Sequence, residues 1–447
     1  MRGSVQTDEA NKACSPGKDR PAAARQAAAG AEIGHKARSA TSLALNNLRG
    51  VVILVVVAFH SALAYLGSSP SSPFPFDKPP YQWRAFAIID SHRWFGFDLF
   101  CAWQDVYLMA LMFFLSALFT WPSLARKGAP KFLSDRLLRL GAPFVFGVAV
   151  VMPIALYPVY CITATDQSVS AYAQHFFALP FWPNGPMWFL WQLLALTALA
   201  AALRRVWPDG IARLGGFLAS AGPRRCFLVL AAAAALAYVP LAVAFTPWRW
   251  ADQGPLALQF CRPLLYAVYY CAGLAVGANG LERGPLASRG PLPRDWRLWL
   301  AATATALIAW MGLTALAMKD GDSAPVLLQI AADASFAAAG AASLFFVMAA
   351  SLRFGATRWP VLDSLAKNAM GIYLLHYAPV VWLQYALLPA DLPAFGKASI
   401  VFVVALLASW AATAALRAVP YACRLIGEEP RPLRPRAAVR DSIAHRG

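Results

Sequence analysis

The stretch LNNLRGVVILVVVAFHSALAYL, residues 45–66, decides the class of fold. A helix that crosses the hydrocarbon core of a bilayer needs about 20 mostly apolar residues, and this stretch supplies them. It also carries two ionisable side chains, Arg49 and His60. An ionisable group inside a membrane helix costs free energy of insertion and usually belongs to a binding site or to a pathway for protons, ions or substrate. The stretch therefore predicts a membrane-spanning helix that carries part of a functional site.

The spacing of Arg49 and His60 places both side chains on one face of that helix. At about 100° per residue, eleven residues make about three full turns, or roughly 16 Å along the axis. One helix face thus presents a permanent cation near one end and an imidazole much deeper. An imidazole changes its charge near neutral pH, so it suits proton transfer.

Composition extends this prediction to the whole chain. Its 447 residues are 59% hydrophobic and only 14% charged, with 16 Trp and 27 Phe. The apolar residues come in separate blocks of about 20, which indicates an all-α, polytopic membrane protein with about ten transmembrane helices. We number the predicted spans one to ten, in chain order: 43–66, 103–121, 141–161, 187–206, 226–246, 259–279, 297–317, 326–350, 368–388 and 398–419.

The flanks and the links give the domain limits and the orientation. Residues 1–42 and 421–447 lack an apolar core and are predicted to be disordered cytoplasmic tails around a membrane domain at 43–420. The net charge of +17 comes largely from Lys and Arg in short links, and the links after even-numbered spans hold far more of them than the others. This asymmetry is typical of multi-pass proteins of the bacterial inner membrane with both termini in the cytoplasm. It also explains the charge without nucleic acid as a partner.

Neither the cysteines nor any familiar motif indicates a metal or a nucleotide fold. The seven cysteines form no CxxC pair, and no GxxxxGK[ST], HExxH or GxSxG pattern occurs. We therefore predict no metal and no permanently bound cofactor. Cys101, Cys161 and Cys261 lie near the ends of their spans, where a disulfide such as Cys101–Cys161 is conceivable, but free apolar thiols are favoured.

Several polar and aromatic residues of the middle spans are further candidates for a site. Asp105 and Ser116 lie on span two, and Trp188 opens span four in the sequence NGPMWFL, where an interfacial structural role would also explain it. Arg136 and Arg139 follow span two at i and i+3, where they serve either as positive-inside anchors or as phosphate ligands.

Spans eight and nine add a second set of polar residues. Asp333 of span eight needs a partner inside the membrane, and Arg262 is one candidate. Tyr373 and His376 of span nine share a helix face, with His376 near the middle of the membrane. A single histidine in a span is often only a packing hydrogen bonder.

The long link after span one, residues 67–100, is too rich in Ser and Pro for regular structure. It holds aromatic residues that either stack on sugar rings or form the interfacial aromatic belt. These residues are Tyr81, Trp83, Trp94 and Phe97.

Five motifs, in order, resemble the membrane acyltransferase-3 family over residues 43–420. They are NLRGVVILVVVAFH in span one, FFLSALF in span two, FLSDRLLRLGAPFVFG before span three, GPMWFL at span four and GIYLLH in span nine. The resemblance implies a membrane enzyme that moves an acyl group, commonly acetyl or succinyl, from cytoplasmic acyl-CoA to an envelope or secreted carbohydrate. The long first link is also similar to that of the glucan-succinylating branch. Many relatives have Ser-Gly where this chain has Ser116-Ala117.

By that resemblance, the site pairs Arg49 with His60, and Arg136 with Arg139. His60 is expected to take the proton of the acceptor hydroxyl, or to attack the thioester and carry the acyl group itself. Arg49 is expected to hold the phosphate or pantetheine arm of CoA, and Arg136 and Arg139 the nucleotide phosphates.

Tyr373 or His376 is expected to donate a hydrogen bond to the developing oxyanion. Asp105, Ser116 and Trp188 are expected to contact substrate. Acyl-CoA, a glycan acceptor and the lipid bilayer are thus the expected partners.

Two other classes of protein fit the same composition. A ten-span body with intramembrane Arg, His and Asp suits a proton-coupled transporter or an exporter of a sugar or lipid-linked glycan. Against it, no inverted repeat and no matched pair of broken spans is evident in the sequence. An inactive membrane scaffold is the third class. The residues leave the acyl chain, the acceptor and the oligomeric state open.

Overall fold

The computed structural model describes residues 22–428, and it is an all-α bundle in which every predicted span is helical. The spanning helices are Ala22–Ala62 for span one, Phe95–Ala117 for span two, Ala129–Cys161 for span three, Trp188–Val206 for span four, Gly210–Phe245 for span five, Pro263–Asn279 for span six, Trp296–Asp320 for span seven, Val326–Phe354 for span eight, Pro360–Leu375 with Tyr377–Ala386 for span nine, and Ala394–Ala418 for span ten.

Within the described residues, eight helices are long and apolar enough to cross a membrane, judged by length and composition. The two remaining predicted spans are a helix of only 17 residues, Pro263–Asn279, and the divided helix of span nine. The chain is therefore an all-α polytopic membrane protein.

Short elements complete the links between the spans. They are the helices Thr120–Lys127, Val169–Phe177 and Pro291–Arg294, the 3-10 turns Leu63–Tyr65, Gln82–Arg84, Gly185–Met187, Gly321–Ser323 and Ala422–Ile426, and the two-stranded antiparallel hairpin Trp250–Ala251 with Leu258–Gln259.

Span nine is not the continuous helix predicted at 368–388, because it opens at His376. Pro379 has no N–H to donate to the carbonyl of Leu375, and its ring crowds the preceding turn. The helix therefore ends at Leu375 and restarts at Tyr377. His376 keeps both of its own backbone hydrogen bonds, from its N–H to Ile372 O (2.9 Å) and from Val380 N–H to its carbonyl (3.1 Å). The interruption is thus local, and it falls at a candidate site residue.

Span three is irregular for the same reason. Pro143 and Pro153 leave the carbonyls of Arg139 and Ala149 without their helical donors. Both carbonyls lie in π-helical turns, Leu137–Gly141 and Gly147–Val151. Such turns are rare and frequently occur at functional sites. The basic residue Arg139 is therefore presented on an expanded turn rather than on a regular helix.

Small residues let span six lie directly against span two. A Cβ atom at Gly273 or Gly277 would overlap the backbone carbonyls of Phe114 and Leu118. Glycines four residues apart allow membrane helices to approach this closely. The contact fixes which face of span two is covered by span six.

The link between spans one and two is an ordered cap at the end of the bundle where span one finishes. Trp83 is only 2% exposed, stacks on Phe76 and donates its indole N–H to Phe76 O at 3.0 Å. Arg84 makes two hydrogen bonds, of 2.9 and 2.8 Å, to Asp252 of the hairpin. Trp83 therefore belongs to the core of this cap and is not free to stack on a sugar, whereas Trp94 remains 49% exposed.

A buried ion pair fastens the cap to span ten. Lys397 Nζ lies 2.7 Å from Asp90 Oδ2, and the two side chains are 0% and 1% exposed. Asp90 Oδ1 accepts the backbone N–H of His92 at 2.8 Å. The predicted bounds of span ten, 398–419, leave Lys397 in the preceding link, but the structure buries its side chain completely.

Replacing Lys397 with methionine is expected to destabilise the protein strongly, because Asp90 would remain buried without its cation. Breaking a buried pair in this way typically costs about 3–5 kcal/mol. The double variant Lys397→Met/Asp90→Asn should recover much of the loss, since no buried charge is then left over. Thermal unfolding in detergent measures both, and Lys319→Met, an exposed lysine in the last turn of span seven, is the matched control. A Lys397→Met variant as stable as the control would contradict the prediction.

Both tails are shorter in the structure than the sequence predicts. The helix of span one begins at Ala22, inside the predicted tail 1–42. At the other end, Ile426 is 1% exposed, and Glu428 forms an ion pair with Arg417 of span ten. Burial of apolar side chains and this pair hold residues 421–428 against the bundle. The rest of the predicted tails, residues 1–21 and 429–447, lies outside the described residues.

Candidate functional site

Two histidines from distant parts of the chain meet inside the bundle. His60 Nδ1 lies 3.2 Å from His376 Nε2, and the ring centroids are 4.9 Å apart. His376 is completely buried, whereas His60 is partly exposed. Helical periodicity predicts each residue's face on its own helix but not this contact, which depends on how spans one and nine pack.

The hydrogen-bond partners assign the proton on each ring. His376 Nδ1 lies 2.7 Å from Tyr373 O, and a carbonyl can only accept, so Nδ1 of His376 carries hydrogen and its Nε2 has the lone pair. His60 Nδ1 lies 2.9 Å from Val56 O and is therefore also the protonated nitrogen. Its N–H is shared between Val56 O and His376 Nε2. The lone pair of His60 is consequently on Nε2, which is the atom available as a base or a nucleophile.

Gln384 is a residue of this site that sequence reasoning missed. It is 3% exposed and donates from Nε2 to His60 O at 2.9 Å and to Ser61 O at 3.3 Å. Span one changes from an α-helix to a 3-10 turn at residue 63. The carbonyls of His60 and Ser61 therefore belong to the last turn of the α-helix, where backbone N–H groups are no longer available to all carbonyls. Gln384 thereby holds the end of span one against span nine, and nothing in the sequence distinguishes it from other glutamines.

Tyr373 joins span nine to span four. Its hydroxyl donates to Pro186 O of the GPMW motif, and its ring contacts Phe189 with centroids 5.8 Å apart. Trp188 of the same motif stacks on Tyr266 of span six at 5.6 Å. The hydroxyl of Tyr373, which was expected to donate a hydrogen bond to the oxyanion, therefore donates to a backbone carbonyl in this structure. Tyr373 and Trp188 both contribute to the packing between helices.

The arginines predicted as donor ligands, Arg49, Arg136 and Arg139, lie at the end of the bundle where span one enters. Together with Arg204 they form what we call the basic end. Arg49 lies over the ring of Phe119 (4.8 Å), Arg136 over Phe132 (5.2 Å) and Arg204 over Trp121 (5.1 Å). Arg49 and Arg136 repel each other electrostatically. Among the described residues, neither has a carboxylate within 4 Å. The guanidinium groups of Arg49 and Arg136, which have no carboxylate partner among the described residues, favour an anionic ligand.

Asp105 of span two, not Asp333, is the ion-pair partner of Arg262. Arg262 Nη2 donates to Asp105 Oδ2 at 2.7 Å and Nη1 to the backbone carbonyl of Asp105 at 3.3 Å. Asp333 attracts Arg262 only at longer range. Arg262 is thus the cation that acts on Asp333, as the sequence suggested, but its direct ion pair is with Asp105. Span six packs tightly on span two, which brings Arg262 to Asp105 first.

Two further predicted features concern Ser116 and the cysteines. Ser116 Oγ donates its proton to Met112 O of the same helix at 2.8 Å. The hydroxyl can therefore only accept a hydrogen bond from a substrate. The six cysteines of the described residues, including Cys101 and Cys161, are all free thiols. The preference for free thiols at Cys101, Cys161 and Cys261 is thus confirmed.

The fold and this geometry define a multi-pass membrane protein with an intramembrane histidine pair and a separate basic end. Residues 42–414 match the family model described as "Acyltransferase domain", which covers nearly all of the membrane body. The chain therefore belongs to the acyltransferase-3 family. No curated protein and no solved structure was found to match it.

Proposed function

We propose that this chain is an integral membrane O-acyltransferase of the bacterial inner membrane. It takes an acetyl or succinyl group from acyl-CoA at the basic end and delivers it to a hydroxyl of an envelope or secreted carbohydrate. The observation that carries the proposal is the His60–His376 contact, because it leaves His60 Nε2 as a lone-pair nitrogen inside the membrane body. The unpaired Arg49 lies on the same helix, about 16 Å away along its axis.

The reaction uses His60 as the general base. His60 Nε2 accepts the proton of the acceptor hydroxyl as its oxygen attacks the thioester carbonyl. The new ester C–O bond forms, the C–S bond breaks, and the proton passes to the departing thiolate to give free CoA. His60 becomes an imidazolium during this step, and its Nδ1–H then bonds more strongly to His376 Nε2 and Val56 O. His376 thus acts as a positioning residue for His60.

The donor is proposed to lie with its phosphates at the basic end. Arg49 and Arg136 have no carboxylate partner among the described residues and would pair with phosphate oxygens. Arg139 lies one turn further along span three, on its π-helical turn. The flexible pantetheine arm would then run along span one and bring the thioester towards His60.

The test is acyl transfer by purified protein reconstituted in lipid. The protein is incubated with acetyl-CoA or succinyl-CoA and with glycans from the bacterial envelope, and the glycans are examined by mass spectrometry. We expect the glycan to gain the mass of one acyl group and free CoA thiol to appear in equal amount. Glycan uptake into vesicles without CoA, with no acylated product, would instead identify a transporter.

A further inference from the structure

One face of span two is only partly buried along its whole length. Between residues 106 and 117, only Met109, Met112 and Ser116 are not fully buried, and their spacing is one per helical turn. Asp105 begins this stripe, and its side chain is 51% exposed. The stripe therefore faces a space that protein side chains do not fill.

Ring contacts close a circle of four helices around that space. Span two contacts span four, span four contacts span nine, span nine contacts span one, and span one returns to span two. The contacts are Phe113–Phe189 (4.8 Å), Phe189–Tyr373 (5.8 Å), His376–His60 (4.9 Å) and Arg49–Phe119 (4.8 Å).

The direction of the stripe follows from this circle. Around the axis of span two, at about 100° per residue, the stripe lies between Phe113, which touches span four, and Phe119, which touches span one. A face between these two contacts points into the circle. Met109, Met112 and Ser116 therefore line the interior space whose wall also holds His60.

The depth of Asp105 relative to His60 can be read from the same contacts. Spans one and two run antiparallel, and Arg49 lies level with Phe119. Eleven residues further along span one is His60, and the same rise along span two leads to residue 108. Asp105 is three residues beyond that level, about 5 Å farther from the basic end. It lies one turn past His60, on the side opposite to the donor phosphates.

The Asp105 carboxylate is held rigidly with one oxygen available. Oδ2 accepts from Arg262 Nη2, while no donor among the described residues reaches Oδ1. Arg262 is 5% exposed, lies over the ring of Phe336 at 4.6 Å, and its Nε has no hydrogen-bond partner in the described part of the chain. A buried guanidinium N–H without an acceptor costs free energy of folding. It indicates that a ligand supplies the missing hydrogen-bond acceptor.

We propose that Asp105, fixed by Arg262, binds hydroxyl groups of the acceptor carbohydrate inside this four-helix space and sets one of them at His60. The inference rests on the proposed function and adds where the acceptor binds. A carboxylate oxygen accepts hydrogen bonds from sugar hydroxyls, and the Asp–Arg pair is neutral overall. The site therefore selects an uncharged, hydroxyl-rich segment of the acceptor.

The test is equilibrium binding of a fluorescently labelled, neutral gluco-oligosaccharide to the full-length protein in nanodiscs, without acyl-CoA. Asp105→Asn should weaken this binding about tenfold or more, because a hydrogen bond to a charged group is replaced by a weaker one. Asp333→Asn is the matched control, since this carboxylate also faces Arg262 but makes no hydrogen bond to it among the described residues. Affinity for CoA should be unchanged in both variants.

A second variant tests the interior space without disturbing the ion pair. Met109→Trp should fill the interior space at the level of His60, one turn from Asp105, and abolish oligosaccharide binding, whereas a lipid-facing residue would tolerate tryptophan. Wild-type affinity in both Asp105→Asn and Met109→Trp would overturn the proposal, as would absence of binding to the wild type. Because these readouts need no acyl transfer, their failure is distinct from failure of the enzyme assay.

Discussion

Replacing His60 with alanine is expected to abolish acyl transfer while the protein is still produced and folded. A positioned general base typically contributes about 10²- to 10⁴-fold to the rate, so kcat should fall by that factor. Among the described residues, the side chain of His60 forms hydrogen bonds only with Val56 O of its own helix and with His376, and the backbone carbonyl held by Gln384 is retained. Acylated glycan per mole of protein, quantified by mass spectrometry, measures the effect.

A variant of His376 serves as the control, because it separates the loss of the general base from the loss of its positioning. His376→Asn removes the acceptor of the His60 Nδ1–H, but Val56 O still holds that hydrogen, so a smaller loss of about tenfold is expected. If His60→Ala acylates glycan as fast as the wild type, the base assignment fails. Label retained on the wild-type protein from radioactive acyl-CoA without acceptor, and absent in His60→Ala, would identify His60 as a nucleophile that carries the acyl group.

Replacing Arg49 with alanine is expected to weaken the binding of acyl-CoA by about ten- to a hundredfold. The guanidinium of Arg49 lies on Phe119 and has no carboxylate partner among the described residues, so its removal costs the ligand a charge-assisted pair and leaves no buried anion behind. Arg49→Lys should restore part of the affinity, because lysine keeps the charge but not the planar pair of donors. Calorimetric titration with CoA, repeated at two salt concentrations, measures both effects.

The matched control for Arg49 is Arg213→Ala, an exposed arginine in the first turn of span five, the helix Gly210–Phe245. It carries the same charge on the same side of the predicted membrane but lies outside the proposed donor path, so CoA affinity should not change. Equal losses in both variants would mean that CoA responds only to the total positive charge. Unchanged CoA affinity and turnover in Arg49→Ala would remove Arg49 from the site.

The sequence by itself determined the class of the protein and much of its local structure. Continuous apolar blocks of about 20 residues are typical of membrane-spanning helices, because a helix satisfies all of its backbone polar groups within its own segment. The Arg49–His60 face follows from helical periodicity alone. The opening of span nine at His376 is also explained locally, by Pro379, although it was not predicted.

Only the tertiary structure decided which of these groups meet. Helical periodicity states where a side chain points on its own helix, but not which helix packs against it. The contact of His60 with His376, the pairing of Arg262 with Asp105 instead of Asp333, and the burial of Lys397 against Asp90 all depend on such packing. The small residues of span six and the ordered cap set these distances, because the way the helices pack decides which partner each buried charge can reach.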